Sequence, residues 1–92
     1  MRKLTTIIVT DSETLEPQLS LLLDGEETGV NMQIEVISDL RVLHGEDAVE
    51  AMIDMTLEAL DVGRHLTKEE KKHFKRNLKS GIMPGEELNE RQ

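Results

Sequence analysis

The chain has 92 residues, no cysteine, a formal net charge of −8 and Phe74 as its one large aromatic residue. That length holds one domain with a modest aliphatic core. The absence of cysteine excludes a disulfide framework, a zinc–thiolate site and thiol chemistry, and the acidic balance argues against direct nucleic-acid binding and favours basic partners.

Met1 to Thr10, MRKLTTIIVT, is rich in β-branched residues and predicts a strand, with Asp11-Ser12-Glu13 as the following turn. It lacks the long apolar core of a signal peptide, and no apolar run approaches the roughly 18 residues of a membrane span, so a soluble cytoplasmic protein is expected. Leu15 to Leu23 alternates, with Leu15, Pro17, Leu19, Leu21 and Leu23 on one side and Glu16, Gln18 and Ser20 on the other. A short helix competes here, but Pro17 and the period of two favour a strand with the proline near its start or on an edge. Asp24 to Gly29 reads as a turn. Val30 to Ile37 alternates again and predicts a third strand, followed by a connector, Ser38 to His44, whose Leu40, Val42 and Leu43 tuck under the next helix.

Gly45 to Gly63 predicts the central helix. An acidic first turn of Glu46 and Asp47 suits the dipole, and Gly63 suits a left-handed stop. One apolar flank carries Val49, Met52, Ile53 and Leu60; a second carries Ala48, Ala51, Met55 and Val62, so the helix is expected to bury two faces. Thr67-Lys68-Glu69-Glu70 fits a capping box that opens a second helix running to about Ser80, with Gly81 and Pro84 as stop signals. Residues 1–84 then form one compact domain and residues 85–92 a frayed polar tail. The expected fold is α+β: a three-stranded antiparallel sheet followed by a C-terminal helical hairpin, βββαα, with the central helix lying on the sheet.

Charge is unevenly placed. Residues 46–63 carry six acids and no base, whereas residues 64–80 carry seven Lys or Arg and two acids. On a helical wheel Glu46, Asp47, Glu50, Asp54, Glu58 and Asp61 fall within roughly 120°. Like charges at i,i+3 and i,i+4 repel, so something must offset them. Either the basic face of the next helix (Lys68, Lys71, Lys72, Lys75, Arg76 and Lys79) pairs with the row, or the row docks on a basic surface of a partner. The carboxylates recur about 6 Å apart along the axis, a spacing that a groove built for nucleic acid accepts, so mimicry of nucleic acid is one form of such docking. Leu57, at the edge of the arc, is the apolar contact that docking would use. Small residues around Met55 allow close approach, which marks Ala48, Ala51 and Met55 as a self-association face; exposed sheet edges offer a second route to a homodimer.

Catalytic signals are absent. There is no nucleophile elbow, phosphate loop, dinucleotide fingerprint or calcium loop, and His44, His65 and His73 match no metal-ligand spacing, so neither a metal nor a cofactor is expected. No family resemblance stands at the level of residues; in composition alone the chain is similar to short acidic proteins of phages and mobile elements that act by binding. The expected function is a non-catalytic inhibitor or regulator that presents Glu46, Asp47, Glu50, Asp54, Leu57, Glu58 and Asp61 to a basic protein surface. The alternatives are a self-assembling structural or assembly-chaperone protein, and a nucleic-acid-binding regulator that uses helix 68–79.

Overall fold

The computed structural model describes residues 1–82. Three strands, β1 (Leu4–Thr10), β2 (Pro17–Leu23) and β3 (Glu26–Gln33), precede three helices, α1 (Ile34–His44), α2 (Glu46–Asp61) and α3 (Lys68–Ile82). The sheet is antiparallel in the order β1-β2-β3. This is the α+β class expected, with an additional helix ahead of the hairpin. The Pro84 stop and the polar tail of residues 85–92 lie outside the described residues.

Turn chemistry sets the sheet. Asp11 closes the first turn: its Oδ1 accepts the backbone N–H of Glu13 at 2.7 Å and of Thr14 at 3.0 Å. Leu15 sits inside that turn at a φ of 61°, and β2 begins at Pro17, where the missing N–H is harmless. The second turn contracts to Asp24-Gly25, both at positive φ, the two-residue connection that matches strand twist. Residues 26–29, expected in the turn, join β3 instead. There the register slips between Ser20 and Leu22, and Gly29 (φ 77°) sits in the irregularity. Thr28 mends the ladder: its Oγ1 donates to the Leu21 carbonyl at 2.8 Å and accepts the Val30 N–H at 3.1 Å.

The third strand expected at Val30–Ile37 ends at Gln33, and Ser38–His44 is helix rather than connector. Positions 30, 32 and 34 satisfy a period of two, but Ile34, Ile37 and Leu40 satisfy the helical repeat, and burial decides between them. Ile37 is in the core and Val36, inward in the strand reading, is exposed. Arg41 and His44 suit the last turn of α1, and Gly45 alone joins it to α2.

α2 buries one face, not two. Val49, Ile53, Leu57 and Leu60 are in the core, whereas Met55 and Val62 of the second flank are exposed. α3 docks on this stripe through Phe74 and Leu78, completing a core that includes Leu4, Leu21, Leu23 and Met32 of the sheet. The capping box is present: Thr67 Oγ1 accepts the Glu70 N–H at 3.0 Å, and Glu70 Oε1 accepts the Thr67 N–H at 3.0 Å.

Candidate functional site

α2 presents its carboxylates beside α3, and α3 meets them with lysines one turn apart. Lys75 stands between Glu50 at 3.1 Å and Asp54 at 3.0 Å; Lys79 reaches Glu50 at 3.2 Å. Lys71 bridges Glu58 at 3.4 Å and Asp61 at 3.3 Å. At the other end Arg41 of α1 takes Glu46 at 2.6 Å. Asp47 is exposed and makes no ion pair among the described residues.

The electrostatics follow the geometry. Hydrogen bonds from Lys75 and then Lys79 hold the Glu50 carboxyl below the usual range, and Lys75 is raised in turn by Asp54 and Glu50. Lys71 is raised by Asp61 and Glu58. Asp61 is lowered chiefly by the backbone N–H of Leu66, which its Oδ1 accepts at 2.6 Å, with Lys71 adding to the effect. Asp61 therefore holds the α2–α3 joint as well as closing the row. The internal pairing that the charge partition allowed is present, and it spends much of the field that the bare row would offer a partner.

The apolar residues fall differently from expectation. Leu57 is 4% exposed and belongs to the core, so it is no partner contact. Packing explains this: Val49, Ile53, Leu57 and Leu60 recur at spacings of four, four and three, and α3 covers the stripe as far as Leu57 at its edge. Met55, by contrast, is 72% exposed, with Ala51 exposed and Ala48 half-buried one and two turns before it. α3 leaves this flank open. Between the helices runs a shallow groove of about 380 Å³, with Met55 and the edge of Leu57 among its walls and Asp54, Glu58, Lys71, Lys72 and Lys75 around them. Lys68, Lys72 and Arg76 are exposed on α3, Lys72 at the rim of this groove, and make no ion pair with a carboxylate among the described residues.

One ionic site had no signal as a pair in the sequence. Glu70 is 4% exposed and receives Arg2: Nη2 donates to Oε1 at 2.7 Å, Nε to Oε2 at 2.8 Å, and the Arg2 backbone N–H to Oε2 at 3.1 Å. These donors hold the Glu70 carboxyl well below the usual carboxylate range. The capping box identifies Glu70 locally; nothing local identifies Arg2.

His44 and His65 are exposed, and His73 lies tilted beside Phe74 with ring centres 6.3 Å apart. Among the described residues no three histidine or carboxylate side chains converge as a metal site requires, and no helix is long and apolar enough to cross a membrane. Comparison with known protein families, with curated proteins and with solved structures finds no match.

Proposed function

We propose that this is a non-catalytic cytoplasmic interaction protein, an inhibitor or regulator, whose working surface is the outer ridge of α2 from Ala51 to Glu58. The observation that carries the reading is Met55, a large apolar side chain left 72% exposed beside a groove with charged sides. An apolar anchor within a charged rim is the composition of a docking patch: the anchor supplies affinity, and the charges supply orientation and encounter rate. The rim is of mixed sign, but on the ridge side Asp54 and Glu58 are 53% and 70% exposed against 32% and 35% for the lysines that pair with them, Lys75 and Lys71, which favours a basic partner surface there. The carboxylate row takes a supporting part, because Lys71, Lys75 and Lys79 already neutralise much of it.

A second reading rests on Lys68, Lys72 and Arg76. They stand at i, i+4 and i+8 on α3 without a carboxylate among the described residues, which favours a phosphate contact. Three cations on a chain of net charge −8 make this the weaker case.

The deciding experiment captures partners from host lysate with wild-type protein, with Met55→Glu, and with a Glu50→Gln, Asp54→Asn, Glu58→Gln triple variant. Circular dichroism checks each fold. A basic partner lost by folded Met55→Glu and held less tightly, at lower salt, by the triple variant supports the reading. Equal capture by all three overturns it, and retention of nucleic acid that Lys72→Glu with Arg76→Glu abolishes would transfer the function to α3.

A further inference from the structure

The two edges of the sheet are not alike. β3 is guarded by Glu26, Glu27 and the irregularity at Gly29, the devices that keep an edge strand from pairing with another chain. β1, LTTIIVT, contains no charge, proline or glycine, and its seven residues pair with β2 without a register break.

Hydrogen bonding at the ends of β1 fixes which residues face that open edge. The Asp11 N–H donates to the Glu16 carbonyl at 3.0 Å, and the Lys3 carbonyl accepts the Asp24 N–H at 2.8 Å. Odd-numbered residues therefore turn their backbone groups toward β2. Thr6, Ile8 and Thr10, all exposed, turn theirs outward, as does the buried Leu4 at the end of the strand, and those groups take no hydrogen-bond partner among the described residues. Ile8 is 68% exposed and lines, with Leu4, Leu19, Ile34, Ile37 and Leu78, a groove of about 650 Å³ beside the edge. On the opposite face of the strand, Ile7 is also exposed.

We propose that β1 pairs antiparallel with β1 of a second copy, joining two sheets into one of six strands about a twofold axis. Only a register centred on Ile7 pairs all seven residues with all seven. It sets Leu4 opposite the partner's Thr10 and Thr6 opposite the partner's Ile8, so the outward-facing groups meet one another as the hydrogen-bond pattern demands. The same register sets Lys3 opposite the partner's Asp11, at both ends of the pair. Lys3 is exposed and has no ion pair among the described residues, so this charge complementarity is available to a second copy of this chain. The partner's Ile8, arriving across from Thr6 on the groove side, narrows the open mouth of that groove. The β1 edge is separate from the Met55 ridge, so the two surfaces are independent.

The test uses the cysteine-free background. Wild-type protein should sediment at twice the 10.4 kDa of the chain. Ile8→Lys, or Ile8→Pro, which removes only an outward N–H, should return a folded monomer. Ile7→Cys should form a covalent dimer under mild oxidation, because facing residues of a non-hydrogen-bonded pair lie about 4.5 Å apart at Cα, inside disulfide range. Val9→Cys should not, since the two copies of position 9 would lie about 13 Å apart along the strands. Lys3→Glu should weaken association. A monomeric wild type, a dimer lost on Met55→Glu but kept by Ile8→Lys, or equal cross-linking at positions 7 and 9 would each overturn the proposal. A Met55-dependent partner captured by a monomeric wild type would overturn it while leaving the docking function standing.

Discussion

Glu70 does two jobs with one carboxylate: it completes the cap of α3 and receives Arg2 from the start of the chain. Its folded-state pKa is lowered, so it stabilises the protein above its ordinary value of about 4.5, and that stabilisation is lost as pH falls below it. Asp11, Glu50 and Asp61 are lowered too and act in the same direction. Urea unfolding of wild type and Glu70→Gln at about pH 7 and about pH 3 checks this. The variant should be the less stable at neutral pH, and the gap should narrow in acid; a gap that stays constant would show that the Arg2 contact contributes through packing alone. The cap was legible from Thr67 and Glu70 because capping is local, whereas Arg2 lies 68 residues from Glu70 and shares no periodicity with it. Leu57 was misplaced for a related reason. A wheel ranks residues by angle, but the width of the buried stripe depends on how α3 leans across it, and only packing fixes that.

Among the elements, β1 was legible from its β-branched run, β2 from its period of two, and α2 and α3 from their caps and helical spacing, although α3 runs through Gly81, expected as a stop. β3 and α1 were not. Ile34 serves both a period of two and a helical repeat, and no glycine or proline separates Gln33 from Ile34, so the change of period is unmarked. The second turn misled in the opposite direction: its two glycines looked like one loop, whereas Gly25 makes the turn and Gly29 the irregularity within β3. Gly29 holds φ 77° with open space where a Cβ would stand. Gly29→Ala should therefore cost about 1–2 kcal/mol from backbone conformation alone, and Gly29→Asn less, because asparagine tolerates the left-handed region. Thermal unfolding of both variants measures the difference. Equal losses would mean that the irregularity in β3 relaxes out of its positive φ.

At the scale of the molecule, charge separated along the sequence becomes charge paired in space. Four of the six acids of residues 46–63 (Glu50, Asp54, Glu58 and Asp61) face three of the seven bases of residues 64–80 (Lys71, Lys75 and Lys79) because the short joint between α2 and α3, held by Asp61, folds one helix back along the other. That pairing was legible as one of two outcomes. The direction in which Met55 points was legible only as a condition on α3, since sequence does not say which of two apolar flanks a neighbouring helix covers. The Arg2–Glu70 contact has a further consequence, in time. Both hairpins of the sheet and the α2–α3 pair close short loops, whereas Arg2 must wait for the last helix, making its contact a late step in folding. We predict that Arg2→Gln leaves the refolding rate within about twofold of wild type and accelerates unfolding, as for an interaction absent from the transition state. Stopped-flow chevrons measure both limbs, and a refolding limb slowed as much as unfolding is hastened would place the contact early instead. If the contact forms late, the lifetime of the native state depends on a latch between the residues ahead of β1 and the helix α3, which opens before the core behind it comes apart.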